Sequence, residues 1–477
     1  MSGTRVLALS SPIYAHTLNA VPFVEGLAAR GAEVHHGVAT PWVASRAVTS
    51  HDLVHDTGPV PPFVPPGGRV RDVSARYAWL VADAALRVRA VERLVEDLRP
   101  DVVLTDSLGY AGALAAERLG LPWVSFGDGP LHFPDELTPP FGAGLPYRTP
   151  RPWVWRNTVV QAASRRLVMG RAQQRYAALR TSLGLAPRDV PVLEACLSPL
   201  LHLHCGAPEL EYPRAELPDH VHFVGALRPP QPAGWVRPSW WDAVVTDHAG
   251  DLVLATQGTL RGDPAEVLAP TLRALQATGR AGLLTTGAGD PVLLGGPGVV
   301  AADPGEGRRP SRAPHAVPSR AHAASSRGPH AVPSRAHAAP SRAHAAPSRA
   351  HAAPSRAPAP VAVEQFVPYS EVLPSAGVFV TNGGWTGVLL ALAHGVPVLQ
   401  VGSTEEKADI GRRVEWAGAG VHLGAARPRP SSVARALARV EGAAYRAGAR
   451  RVAASLATRD PGRDGAELVL RLLRAGG

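Results

Sequence analysis

The sequence predicts an α/β protein built of two Rossmann-like α/β domains facing each other across a cleft. Three observations carry that prediction. Short apolar runs alternate with amphipathic stretches of helical length, the pattern of βαβ repeats on a parallel sheet. The alternation stops at the proline-rich stretch RPPQPAGWVRP (228–238) and then begins again, so two units are joined by a linker. Polar and glycine residues stand just past the strand ends, where sheets of this kind bind ligands.

The elements follow in order. Val6–Leu9 is a buried strand; Asn19 reads as the cap of the next helix, with Pro22 in its first turn, Gly31 at its end, and Val21, Val24 and Leu27 as its apolar stripe. Glu33–Val38 is the second strand, and DVVLTD (101–106), YAGALAAERLG (110–120) and PWVSFG (122–127) give strand, helix and strand. His16 therefore falls in a strand-to-helix turn and Asp106 just past a strand end. The second series runs through the strand LVLATQGT (252–259), a helix over 264–277 and GLLTTG (282–287). It continues with VEQFVPYSEVLP (363–374), the strand GVFVTNGG (377–384), a helix through Ala393 and the strand PVLQVG (397–402). The expected domains are 1–227 and 241–460, joined by a linker at 228–240 and followed by a C-terminal helix at 461–477.

Composition narrows the classes. At 477 residues and 45% hydrophobic content the chain can bury a large core. No apolar run approaches the roughly 18 residues of a membrane span, and no leader pattern opens the chain, so membrane insertion is not expected and the cytoplasm is the expected compartment. Two cysteines, Cys196 and Cys205, are too few for a disulfide framework. His202, His204 and Cys205 alternate with Leu201 and Leu203, which reads as a strand rather than a metal site. The net charge of +10 would suggest nucleic acid were it spread over the fold. It is concentrated in 304–360, a low-complexity Pro/Ser/Arg/Ala/His insertion repeating PSRAHAA, which holds nine arginines against the single acid Glu306. Such a tract has little to bury and is expected to be disordered. It lacks the interleaved aromatics of a base-stacking surface, so a nucleic-acid partner is not expected.

Three stretches, ATQGT (255–259), FVPYSEVLPSAGVFVTNGGWTGVLLALAHGVPVL (366–399) and STEEKADIGRRVEWAGAG (403–420), carry a family resemblance. The chain resembles the GT-B glycosyltransferases of the UDP-glycosyltransferase family, in the bacterial branch that glycosylates macrolides and other antibiotics. The resemblance covers the chain apart from 304–360. It implies an inverting, metal-independent hexosyltransferase that moves a sugar from a UDP- or dTDP-linked donor to a hydroxyl of a lipophilic natural-product aglycone. The nucleotide sugar would be a co-substrate, with no metal and no further cofactor.

The chemistry of each motif can be set beside what the resemblance implies. In TNGGWTG a strand ends in glycines and a helix begins, so backbone N–H groups and the positive helix end face the loop and suit a diphosphate. Asn382, Gly383, Gly384, Thr386 and Gly387 are the residues assigned there. The family usually has histidine at 382, asparagine and serine at 386 and 387, and glutamate at 390, where this chain has leucine. Thr256, Gly258 and Thr259 would form the facing wall, although hydroxyls at a strand end also cap helices. Phe366, Val367 and Pro368 match the base pocket, and Glu406 with Lys407 the sugar grip, where a glutamine is usual in place of the lysine. His16 matches the histidine that deprotonates the acceptor, and Asp106 the aspartate that orients it. The helix N-terminus disfavours a protonated ring and Asp106 favours it. Phe133, Phe141 and Trp153, in a proline- and aromatic-rich stretch, are candidates for the acceptor side. Asn19 stands where the family usually has proline. The departures leave a second reading, a catalytically weak GT-B-fold binding or helper protein.

Overall fold

The computed structural model describes residues 3–38, 45, 47–58, 63–64, 66, 69–133, 135–228, 234–258, 263–287, 290–294, 299–301, 359–402 and 406–476. Most of the 304–360 insertion, part of the linker and Thr259 lie outside them.

The apolar runs form strands because their alternate residues are all buried, as parallel sheets covered on both faces require. Among the described residues, the first unit has β1 (Arg5–Leu9), β2 (Glu33–Val38), β3 (Thr49–Asp52), β4 (Val102–Asp106), β5 (Trp123–Gly127), β6 (His202–Cys205) and β7 (Val221–Gly225). The second has β8 (Leu252–Thr256), β9 (Gly282–Thr285), β10 (Val299–Ala301), β11 (Val361–Glu364), β12 (Ala376–Thr381), β13 (Val398–Gln400) and β14 (Gly420–His422). The sheet orders are 3-2-1-4-5-6-7 and 10-11-9-8-12-13-14. The strand pairs are parallel throughout, so in each sheet the C-terminal ends gather along one edge. His202–Cys205 is a buried strand, and both cysteines are free and buried.

One local expectation is corrected. The first helix begins at Tyr14, with extended Ile13 before it, and runs through Pro22 to Ala28. Asn19 is therefore a buried residue of the second turn and caps nothing. The helix tolerates a proline because it is buried over much of its length, on Thr17, Asn19, Ala20, Val21, Phe23, Val24 and Leu27. Part of that cover is the C-terminal helix Pro461–Gly476, which crosses back onto the first unit. The two approach so closely that a Cβ on Gly26 would overlap the Gly462 backbone.

One apolar core spans both units, joining Val6, Phe23 and Val124 to Leu254, Phe379 and Val388. Among the described residues, no helix is long and apolar enough to cross a membrane.

Candidate active site

His16 lies in the first turn of the helix Tyr14–Ala28, its side chain 15% exposed, at the edge where β1, β4 and β5 end. Its Nδ1 stands 3.6 Å from Asp106 Oδ1 and 3.2 Å from Asp128 Oδ2. Asp106 closes β4 and is fully buried; its two oxygens accept from Ser11 N at 2.6 Å and Leu108 N at 2.8 Å. Asp128 directly follows β5. In the sequence it is only a polar residue in the glycine-flanked turn GDGP. Adjacency of β4 and β5 is what brings it to the histidine.

The competing influences on His16 now have a sign. Burial, the largest, favours the neutral ring, but the Asp128 and Asp106 carboxylates, with a smaller pull from Glu406, outweigh it and push its pKa up to about 9. Burial also opposes ionisation of Asp106, yet His16 and the two backbone donors hold that carboxyl below its ordinary range. Asp128 is raised, by burial first and then by Asp106, with His16 and Asn19 pulling the other way. His36, beside Ser10 at 2.9 Å, is brought down to about 4 by burial and stays neutral.

On the second unit, β8 and β12 are neighbours in register, with Thr381 opposite Thr256, so the two expected walls meet. Asn382 donates through Nδ2 to Gln257 O at 2.6 Å. Gly383 has φ +103°, and a Cβ there would overlap the Gln400 amide, so the turn requires glycine. Gly384 opens the helix Trp385–Ala393 with free space beside it. Thr386 donates across the cleft to Asn19 Oδ1 at 3.3 Å, and Trp385 Nε1 donates to Cys205 O at 2.7 Å.

Other assigned residues fall elsewhere. Gly387 backs onto Phe379 and Tyr369 and does not face the turn's open side. Thr256 caps locally, accepting from Gly258 N at 3.2 Å. Thr259 lies outside the described residues. Phe366 is 47% exposed, while the Val367 side chain is in the core and Pro368 caps a short helix. Glu406 precedes the helix Lys407–Trp416, and Lys407 is buried. The three acceptor aromatics do not gather. Phe133 packs edge-on against His202 and His220, Phe141 against His132, and Trp153 lies under the Arg156 guanidinium. Beside the His16 turn a cavity with room for about one water molecule is lined by Pro12, Leu53, Leu80 and Leu108, with the buried Asp83–Arg87 pair at 2.9 Å in its wall.

Residues 344–472 match the erythromycin biosynthesis protein CIII-like C-terminal domain. The chain is also 29% identical to 4'-demethylrebeccamycin synthase of Lentzea aerocolonigenes, over 98% of this chain and 99% of that protein. The chain is a glycosyltransferase, similar to those of antibiotic biosynthesis. The fold of this glycosyltransferase is GT-B, shared with the calicheamicin glycosyltransferase CalG4 at a TM-score of 0.63, 19% identity and full coverage of both chains. It is shared equally with the glycosyltransferase VinC, solved in complex with dTDP, at a TM-score of 0.60, 16% identity and coverage of 99% and 100%. The glycosyltransferase thus presents an imidazole on one sheet edge and a glycine turn on the other.

Proposed function

We propose that this glycosyltransferase transfers a sugar, with inversion, from a nucleotide diphosphate sugar to a hydroxyl of a lipophilic aglycone. The observation that carries this is His16, whose Nδ1 lies 3.6 Å and 3.2 Å from the strand-end carboxylates Asp106 and Asp128, on a helix that Asn19 links to Thr386 beyond the glycine turn. With Nδ1 turned to the two carboxylates, Nε2 is the nitrogen left to take the acceptor proton. The resulting nucleophilic oxygen attacks the anomeric carbon from the face opposite the leaving diphosphate, which inverts its configuration. The charge that develops on the diphosphate is met by the N-terminus of the helix Trp385–Ala393, which needs no metal to do so. A dTDP-linked donor is favoured over UDP by the dTDP in the VinC complex and by Leu390, which offers no hydrogen bond to a ribose hydroxyl.

The test is mass spectrometry of reactions that pair a panel of dTDP- and UDP-sugars with a panel of hydroxylated aglycones. A hexose mass gain is expected, with the product's anomeric coupling opposite in sense to the donor's. His16→Ala is expected to lower transfer by about 10²- to 10⁴-fold, the usual range for a general base. Undiminished transfer by that variant would remove His16 from the mechanism.

A further inference from the structure

Asp128 and Asn19, neither of which the resemblance gives a role, meet behind the imidazole. Asp128 Oδ2 is the nearer of the two carboxylate contacts on His16 Nδ1, at 3.2 Å against 3.6 Å. The same Oδ2 accepts from Asn19 Nδ2 at 2.8 Å. That bond fixes which way the Asn19 amide faces: with its NH₂ on the carboxylate, its carbonyl oxygen turns to the other unit and accepts from Thr386 Oγ1 at 3.3 Å. Thr386 is in the first turn of the helix whose N-terminus faces the cleft. Asn19 is itself 3% exposed and held on a helix whose buried face packs against the C-terminal helix, so the brace is rigid.

Resting on the reading of His16 as the base, we propose that Asp128 is a second positioning residue for His16, and that Asn19 braces it from the diphosphate side of the cleft. Two carboxylates on one nitrogen do what one cannot. Asp106 is occupied by Ser11 N and Leu108 N, so its hold on the ring is shared with the backbone. Asp128 sets a second carboxylate beside the same nitrogen and by its charge favours the proton on Nδ1, leaving Nε2 free for the acceptor hydroxyl. An asparagine in the family's usual proline position makes this possible, because proline has no side-chain donor to present.

The charged and titratable groups facing His16 are Asp106 from β4, Asp128 beyond β5 and Glu406 at the start of the helix Lys407–Trp416; His36, behind Ser10, is neutral. Asp128→Asn preserves shape and removes one of these charges. The experiment follows the His16 ring by NMR from pH 5 to 11 in wild type, Asp128→Asn and Asn19→Ala, with kcat/KM measured over the same range. In Asp128→Asn the His16 titration midpoint is expected to fall by about one pH unit or more, the size of effect a close opposite charge exerts. The kcat/KM profile should move with it, while the KM for the donor stays within about twofold. Asn19→Ala, which leaves the carboxylate but withdraws the hydrogen bond that favours its ionised form, should move the midpoint the same way by less. A midpoint at its wild-type position in both variants overturns the proposal. The titration needs no sugar transfer, so that outcome is distinct from failure of the general-base reading, which would show as undiminished transfer in His16→Ala.

Discussion

An imidazole shared by two carboxylates holds its proton beyond neutrality, and a general base works only without it. With the His16 pKa near 9, the ring of the free enzyme is mostly protonated at pH 7. The kcat/KM profile should therefore climb with pH and level off near 9, since kcat/KM reports ionisations of the free enzyme. A profile flat from pH 6 to 9 would separate His16 from the rate. The stability effect has the opposite sense: a histidine raised above its ordinary 6.5 stabilises the fold fully below that value, and the contribution is lost as pH rises through about 9. Asp106 adds a second residue-scale consequence. Each of its oxygens accepts a backbone N–H, so Asp106→Asn must turn an NH₂ toward one donor; a loss of about 1–3 kcal/mol in denaturant unfolding is expected. His16 and Asp106 were legible in the sequence because each follows an apolar run within a recognisable motif. Asp128 was not, since an aspartate between glycines reads as a turn residue until strand order shows what lies beside it. Asn19 was misread because a cap and a buried bridge need the same side chain, and only the true helix start at Tyr14 separates the two.

At the scale of elements, the buried strands were easiest to read: apolar runs at Glu33–Val38, Val102–Asp106 and Trp123–Gly127 fall within a residue of their expected bounds. Sequence gave less warning of the 30-residue helix Arg69–Leu98, whose polar face carries no motif. The strands flanking the arginine-rich tract were also unanticipated as partners. β10 and β11 pair in parallel, Val299 opposite Val361 and Ala301 opposite Val363, although the tract separates them in sequence. A parallel pair cannot be closed by a tight turn, because the chain must travel back the length of the strand before the second begins; about a dozen residues are the minimum. Joining residue 303 directly to 361 is therefore expected to break this edge of the sheet and lower Tm. Replacing 304–358 with a Gly/Ser linker of about 15 residues should preserve both Tm and sugar transfer, because flexible closure costs grow slowly with length. Loss of transfer with the linker in place would give the arginine-rich tract a role that its composition does not suggest.

Across the whole molecule, the two units are tied by pairs too distant in sequence for any motif to reveal. The helix Lys407–Trp416, which follows the loop ending at Glu406, carries three of these ties. Asp409 accepts from Gly142 N and, at 2.6 Å, from Gly144 N; Arg412 donates to Gly144 O at 3.3 Å; and Arg413 Nε donates to Glu211 Oε2 at 2.9 Å. The last is an ion pair buried at both ends, with Arg413 also lying over the Tyr212 ring. Burial opposes ionisation of Glu211, but Arg413 first, then His204 and Arg214, overcome it and hold the carboxyl far below its usual range. In the wild type this pair adds stability above the ordinary glutamate pKa of 4.5, lost only as pH falls through the depressed value. Removing one member of a buried pair strands the other, at a cost of about 3–5 kcal/mol. Arg413→Met should fall near the lower end, because Arg214 remains 3.8 Å from Glu211. The sign of its pH dependence follows: with Arg413 gone, burial raises the Glu211 pKa, and protonation relieves the stranded charge. The Tm deficit of Arg413→Met against wild type should be largest at pH 7 and above and shrink as pH falls through about 5. Because the same helix positions Glu406 opposite His16, the variant should also raise the KM for the nucleotide sugar. A Tm deficit independent of pH would mean that Arg413 stabilises the domain contact by its packing on Tyr212 rather than by its charge.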